Sequence, residues 1–309
     1  MDPSNVVDLF CGMGGLSYGF SLEGFQVTGF DKWDCAVLSF NHNRIGVAVK
    51  MDLLDSLPEI PSDCIIVGGP PCEPWSRLNL NRSKKGSRHP LYGCLFRFFE
   101  IVLRNRPILF VMENVQGVLK DVRANIFMEK IKRGYSVEAR VISYADYGAA
   151  TARRRLFVIG VRNDYGVDAR SVFEEIPQDK PVRIRDVIWD LRNRGWDDTT
   201  DHVWTRVKTV RRYIRYYRTG KYGWYVLSWD RPSPSFGNIT RTYVLHPDSF
   251  NGGEKRPISV REALRIMGFP DNYSFPKGTA ICAKYEMIAD TVSPSFSTKL
   301  ARTIRKIML

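Results

Sequence analysis

The sequence predicts a doubly wound, mostly parallel α/β sheet with a second, smaller domain. Short β-rich runs alternate with helix-like segments through the first half, a glycine loop follows the first run, and a basic aromatic window breaks the pattern later in the chain. Strand and helix in rotation favour parallel pairing, which puts ligands outside the carboxyl ends of the strands.

In order, "NVVDLF" reads as a strand, "GLSYGFSLEG" as a helix, "FQVTGFD" as a strand and "WDCAVLSFNHN" as a helix, and Asp52 follows a third strand-like run. "DCIIVGG", "PILFVMENV", "YSVEARVISY" and "RLFVIGVR" are the later strands, with "LFRFFEIVLRN" a helix among them. "RPSPSFGNITRTYVLHP" is turn-rich and "RPISVREALRIMGFPDNYSF" turns helical. The final "AKYEMIADTVSPSFSTKLARTIRKIML" reads as one helix interrupted at Pro294.

A chain of 309 residues can bury a sizeable core. Its hydrophobic share is 44% with no apolar run long enough to cross a bilayer, so an intracellular protein is expected, with no membrane partner. The 46 Lys+Arg against 33 Asp+Glu leave +13, which suits a polyanion, although a basic surface also serves solubility. The 6 cysteines show no C-x-x-C pair and no His/Cys ligand spacing, so neither a zinc site nor a disulfide framework is expected. Most should pack as small apolar residues.

Between Gly195 and Trp229 the texture becomes basic and aromatic, with Arg206, Lys208, Arg211, Arg212 and Arg215 interleaved with tyrosine and tryptophan. Such a segment suits phosphate contacts plus stacking; an exposed amphipathic helix has the same texture.

In "VVDLFCGMGG", Gly12, Gly14 and Gly15 let a ligand approach the backbone between strand and helix. A nicotinamide fingerprint would want glycine at position 17, where the chain has Ser17. Asp31, ending the next strand, can accept hydrogen bonds from ribose hydroxyls or cap the following helix. Phe10 can lie against an adenine ring or belong to the core.

In "GGPPCEPWS", Pro70 and Pro71 fix φ on the approach to Cys72 and aim its thiol. A thiol attacks as thiolate, which nearby positive charge favours. Glu113 ends a strongly apolar strand, where burial disfavours its charged form. In "TARRR", strand alternation would send Arg153 and Arg155 to one face and Arg154 to the other. A thiolate, a protonatable carboxyl and arginine donors suit addition to an electron-poor ring: attack at C6 of cytosine pushes charge toward N3 and C5, where those groups stabilise it.

The ordered set "DLFCGMGG", "GGPPCEPWS", "MENV", "TARRRLF", "RPISVREALRIMGFPDNY" and "IADTVSP" resembles the cytosine-C5 DNA methyltransferases of prokaryotic restriction-modification systems. The likeness covers nearly the whole chain except the basic aromatic window. It implies a Rossmann-like class I methyltransferase fold, S-adenosylmethionine as donor with S-adenosylhomocysteine as product, and no metal. Residues 1–190 would be the catalytic and S-adenosylmethionine-binding domain, 191–255 the small target-recognition domain, and 256–309 a C-terminal segment whose last helix returns to the catalytic domain.

The resemblance also implies roles. Cys72 would be the nucleophile, Glu113 the partner of N3 and N4, Arg155 the O2 contact and Arg153 its neighbour. Phe10, Gly12, Gly14, Asp31, Lys32, Asp52, Leu53, Pro70 and Leu95 would surround the cofactor, with Asp290 and Thr291 at its methionine end. Ser76, Arg77, Arg82, Lys84 and Lys85 would lie on a catalytic loop against double-stranded DNA, from which the target base is flipped out. Cytoplasmic, nucleoid-associated action as a monomer follows, with a companion restriction endonuclease acting separately. The chain departs from the usual pattern at Lys32, Glu73, Thr151 and Asp290. A tRNA cytosine methyltransferase shares the chemistry, but its customary cysteine-phenylalanine-threonine insertion is missing here. A noncatalytic DNA-binding relative would keep the fold without the chemistry, and a nicotinamide dehydrogenase fits the glycine loop more distantly.

Overall fold

The computed structural model describes residues 4–76, 85–205, 213–220, 224–241 and 243–308. The strands of the first half are β1 (Asn5–Leu9), β2 (Gln26–Asp31), β3 (Val47–Lys50), β4 (Ile65–Gly68), β5 (Leu109–Asn114), β6 (Tyr135–Ser143) and β7 (Arg154–Arg162). They form one sheet in the order β3-β2-β1-β4-β5-β7-β6. Between them run α1 (Gly15–Leu22), α2 (Asp34–His42), α3 (Tyr92–Asn105) and α4 (Val122–Ile131), and α5 (Ala169–Glu174) follows β7. The reversal of strand order beside β1 is the switch point at which doubly wound sheets bind ligands.

Register carries the site. β1 is parallel to β2 and β4, and β4 to β5, so Leu9, Phe30, Gly68 and Met112 stand in one row at the carboxyl edge. β7 is antiparallel to β5, with Asn114 opposite Leu156 and Glu113 opposite Phe157. The amino end of β7 therefore meets the carboxyl end of β5.

β4 and β5 are buried along their whole length, which explains their unbroken apolar character. α3 presents Leu95, Phe96, Phe98, Phe99, Ile101 and Val102 to a core that includes Val7, Ile66 and Phe110. Edge-to-face rings join Phe98 to both Phe99 and Phe110.

Contacts divide the chain into two compact units. The first holds Met1–Ile142, Arg154–Pro177 and Ser297–Leu309; the second holds Ser143–Arg153 and Gln178–Phe296. The second unit contains α6 (Ile184–Ile188), α7 (Ile214–Thr219) and α8 (Val260–Ile266), and a short parallel pair, β8 (Tyr225–Val226) with β9 (Val244–Leu245). The stretch 178–190 joins this unit because Arg265 donates to the Val187 carbonyl at 3.0 Å and pairs with Asp190 at 2.6 Å. α8 starts in a capping box in which Ser259 and Glu262 satisfy each other's amides. Glu262 is fully buried and takes two 2.7 Å hydrogen bonds from Arg256, whose guanidinium lies 4.6 Å from the Trp204 ring centroid. The motif "RPISVREALRIMGFPDNY" is thus the unit's internal brace.

The expected single C-terminal helix is two, α9 (Ile281–Asp290) and α10 (Pro294–Met308). Pro294 opens the second, where its missing N–H has no intrahelical acceptor to lose. Among the described residues no helix is long and apolar enough to cross a membrane.

Gly19 shows how closely α10 packs on α1 within the first unit, since a β-carbon there would press on the backbone of Ser297 and Thr298. Gly19→Ala is expected to destabilise the chain by about 1–3 kcal/mol, the usual range for overpacking, read as a lower urea midpoint at unchanged slope.

Candidate active site

The chain leaves β1 through Phe10, whose φ of 60° is a left-handed conformation that costs a bulky residue energy. Phe10 is half-buried and packs on the core cluster that contains Leu9, Leu53 and Leu95. Gly12, at φ 54°, has open space where a β-carbon would stand. Gly14 caps α1 at φ 90°, and a β-carbon there would overlap Phe40 and Ile45.

Asp31 ties this loop to the next strand. One carboxylate oxygen accepts from the Gly12 amide at 2.9 Å, the other from the Trp33 amide at 2.9 Å. Trp33 is the cap residue of α2, so Asp31 serves helix start and glycine loop together. Burial raises its pKa, opposed by those two amides. Lys32 and Asp52 meet at 3.6 Å, and Asp52 accepts from the Leu54 amide at 3.0 Å.

Beneath the loop lies Asp8, buried in β1 and hydrogen-bonded by the Ser17 hydroxyl at 2.5 Å. Sequence reasoning passed over it. The available signal was a carboxylate inside the otherwise apolar "VVDLF".

The proline turn leaves the carboxyl end of β4. Pro70 is buried, and its carbonyl accepts from the Asn114 side chain at 2.9 Å. Cys72 is half-buried, and its carbonyl accepts from the Trp75 amide at 3.0 Å. By contrast Cys11, Cys64 and Cys94 are buried, and burial pushes their thiols up, Cys64 and Cys94 to about 11. Such thiols stay protonated and inert. After burial, the charges of Lys32, Asp52 and Glu73 act on the Cys94 thiol, Lys32 lowering its pKa and the two acids raising it.

Glu113 is buried at the end of β5, and Arg155 Nε lies 3.1 Å from its carboxylate. Gly69 leaves room for that carboxylate, since a β-carbon there would stand 3.1 Å from its other oxygen. Arg154 is exposed, and its carbonyl accepts from Arg155 Nη1 at 2.9 Å. β7 begins at Arg154, and across its start Arg153 is buried, Arg154 exposed and Arg155 half-buried. Arg153 is buried in the second unit, where its carbonyl accepts from the Tyr144 amide at 3.0 Å. Asp290 is exposed at the end of α9 and Thr291 is buried beside it, both in that same unit.

Of the expected DNA contacts, Ser76 and Lys85 are half-buried, while Arg77, Arg82, Lys84, Arg206, Lys208, Arg211 and Arg212 lie outside the described residues. Arg215 is exposed on α7, its guanidinium 4.9 Å from the Tyr216 ring centroid. Tyr213, Tyr217, Trp224 and Tyr243 pack as a small aromatic core around β9. The window's aromatic character is therefore partly structural. Among the described residues no group of three or more His, Cys, Asp or Glu side chains is placed to hold a metal ion.

The family model for C-5 cytosine-specific DNA methylase matches residues 4–306. The type II methyltransferase M.NgoFVII of Neisseria gonorrhoeae is 35% identical, over 98% of this chain and 86% of its own length. The type II methyltransferase M.FnuDI of Fusobacterium nucleatum is 27% identical, over 98% and 94%. A crystal structure described as a DNA modification methyltransferase encoded within an E. coli prophage shares the fold at a TM-score of 0.77, with 23% identity, over 98% of this chain and 99% of that one.

Asp8 generates a pH signature. Its pKa is pushed up from 3.8 to about 7, chiefly by burial, with the Ser17 hydrogen bond opposing and the Asp31 charge adding. The folded value lies above the unfolded one, so the favourable contribution is complete below about 4 and is lost as pH rises to about 7. Asp8→Asn keeps an acceptor for Ser17 and should flatten this loss, narrowing the difference in unfolding free energy between about pH 5 and about pH 8 measured in urea.

Proposed function

Since the chain belongs to the family of C-5 cytosine-specific DNA methylases, we propose that it methylates cytosine at C5 in a specific duplex DNA site, using S-adenosylmethionine and a covalent bond between Cys72 and C6. The observation that carries this is the contact of Arg155 with Glu113 at 3.1 Å, at the sheet edge from which the Pro70–Pro71–Cys72 turn departs.

The cofactor side fits a nucleoside-bearing donor. Gly12 leaves open space over its backbone, Asp31 and Asp52 offer carboxylate oxygens, and Phe10 offers a half-buried ring. S-adenosylmethionine supplies an electrophilic methyl group. Phe10, Gly12, Gly14, Asp31, Lys32, Asp52, Leu53, Pro70 and Leu95 would hold it, with Asp290 and Thr291 assigned to its methionine end by the family motif.

On the base side, Cys72 Sγ adds as thiolate to C6 of the extruded cytosine, and the ring electrons move toward C5 and N3. Glu113 holds N3 and the N4 amino group, and Arg155 turns from the carboxylate to O2, with Arg153 assigned beside it. Charge that develops on the ring thus meets hydrogen-bond donors placed where it forms. C5 would take the methyl group of S-adenosylmethionine, leaving S-adenosylhomocysteine; the C5 proton passes to a water molecule as base, and Sγ leaves C6 as thiolate, which restores the ring. Residues 191–255 are proposed to choose the site, with the basic side chains there and on 76–85 contacting phosphates. The type II names of the relatives extend the proposal to a companion nuclease acting separately, and the enzyme is proposed to act as a monomer in the cytoplasm.

Single-base sequencing of modified cytosines in DNA from cells expressing the chain tests the reading directly: a recurrent methylated site is expected, and unmodified DNA with methylated tRNA would overturn it. Cys72→Ser should abolish methyl transfer while DNA binding persists; undiminished turnover would remove the nucleophile. Glu113→Gln should lower kcat by about 10²-fold or more, the scale of general acid–base contributions, with little change in S-adenosylmethionine affinity.

A further inference from the structure

Asp121 lies outside every group assigned above, yet its carboxylate has three donors. One oxygen accepts from the Trp75 indole at 2.9 Å; the other accepts from the Tyr92 hydroxyl at 3.1 Å and the Ala124 amide at 3.1 Å, capping α4. The Trp75 and Tyr92 rings touch with centroids 5.4 Å apart, and Tyr92 rests on Phe96 at 4.8 Å. The indole is held by both its face and its N–H.

Trp75 closes the turn that contains Cys72, its amide donating to the Cys72 carbonyl at 3.0 Å. The next contact of the segment is Gly86, whose amide donates to the Pro74 carbonyl at 2.9 Å. A β-carbon on Gly117 would press on the Trp75 backbone, so that residue is packed from the other side as well. The segment 70–75 is thus tied at its start by Asn114 to Pro70 and at its end by Asp121 to Trp75, with Cys72 between. Pro71 and Pro74 fix φ on either side of the thiol-bearing residue.

We propose that Asp121 is a positioning residue for the Cys72 thiol, acting through the Trp75 indole and the turn that Trp75 closes; this rests on the reading of Cys72 as the nucleophile. Burial, then the bond to Asp121, raises the Tyr92 phenol above its ordinary value, so Tyr92 stays a neutral donor to the carboxylate.

Two variants separate this role from capping. Asp121→Asn keeps an oxygen for the helix cap and Tyr92 but turns an amide N–H toward the indole N–H, two donors face to face. Trp75→Phe keeps an aromatic ring on Tyr92 and removes the donor. The full chain is assayed on duplex DNA with cytosine and on duplex DNA in which 5-fluorocytosine replaces it throughout. Each variant is expected to lose about tenfold or more in kcat and in the rate of covalent adduct formation, the scale on which small misplacement of a reacting group costs rate. KM for S-adenosylmethionine and the thermal midpoint should stay near the parent's. Since both changes cut one bond, the double variant should be no slower than the slower single one.

Parental kcat and adduct rate with a lowered thermal midpoint would overturn the proposal, leaving Asp121 a structural cap. Multiplicative losses in the double variant would overturn the route through the indole. A parent chain that neither methylates nor traps either DNA would sink the methyltransferase reading instead. In that event, alkylation of Cys72 by iodoacetamide, followed by peptide mass spectrometry, still decides the positioning role: an altered rate in both variants supports it and an unchanged rate refutes it.

Discussion

The contact between Glu113 and Arg155 exists because β7 runs antiparallel to β5. In a wholly parallel sheet the residue that opens a strand stands at the edge opposite the one where its neighbour ends. Reversing one strand puts Arg155 within 3.1 Å of Glu113 and gives a buried carboxylate a cation on the same edge as the glycine loop and the proline turn. An isolated carboxylate buried at that depth would cost several kcal/mol or neutralise itself. Arg155 supplies the partner that such a buried carboxylate requires.

The glycine loop obeys the same requirement that buried polar groups be paired. The Asp31 carboxylate is taken up by two amides, from Gly12 and Trp33, and those bonds hold the chain where Phe10 and Gly12 adopt left-handed conformations. Strain of this kind persists only when surrounding contacts over-determine it. Here the determinants are Asp31 on one side and the core around Leu9, Leu53 and Leu95 on the other. The Asp8–Ser17 bond below joins β1 to α1 and fixes the angle at which the loop leaves the sheet.

The second unit is braced differently. Its apolar core also holds buried charges: Arg256 with Glu262, Lys284 with Asp201 at 2.7 Å, and Arg261 donating to the Thr200 and Tyr273 carbonyls at 2.9 Å each. Removing one partner of such a buried pair strands the other, typically at a cost of about 3–5 kcal/mol. A unit of little regular structure thereby gains fixed points, and aromatic side chains such as Tyr217 and Trp224 pack within it. Charged residues that would ordinarily face solvent are, in this unit, buried among apolar side chains such as Ile258, Val260 and Leu264.

The alternation of strands and helices, the glycine loop, the proline-framed cysteine and the buried Glu113 were legible from residue order alone, because hydrophobic period, φ preferences and a misplaced charge are local properties. Pro294, legible as an interruption, separates two helices, α9 ending at Asp290 and α10 starting at Pro294. Tertiary packing settled the direction of β7, the burial of Asp8 and Glu262, and the convergence of Trp75, Tyr92 and Asp121. Each of these joins residues far apart in the chain through register or burial, and no local pattern of residues encodes which distant partner a side chain will meet.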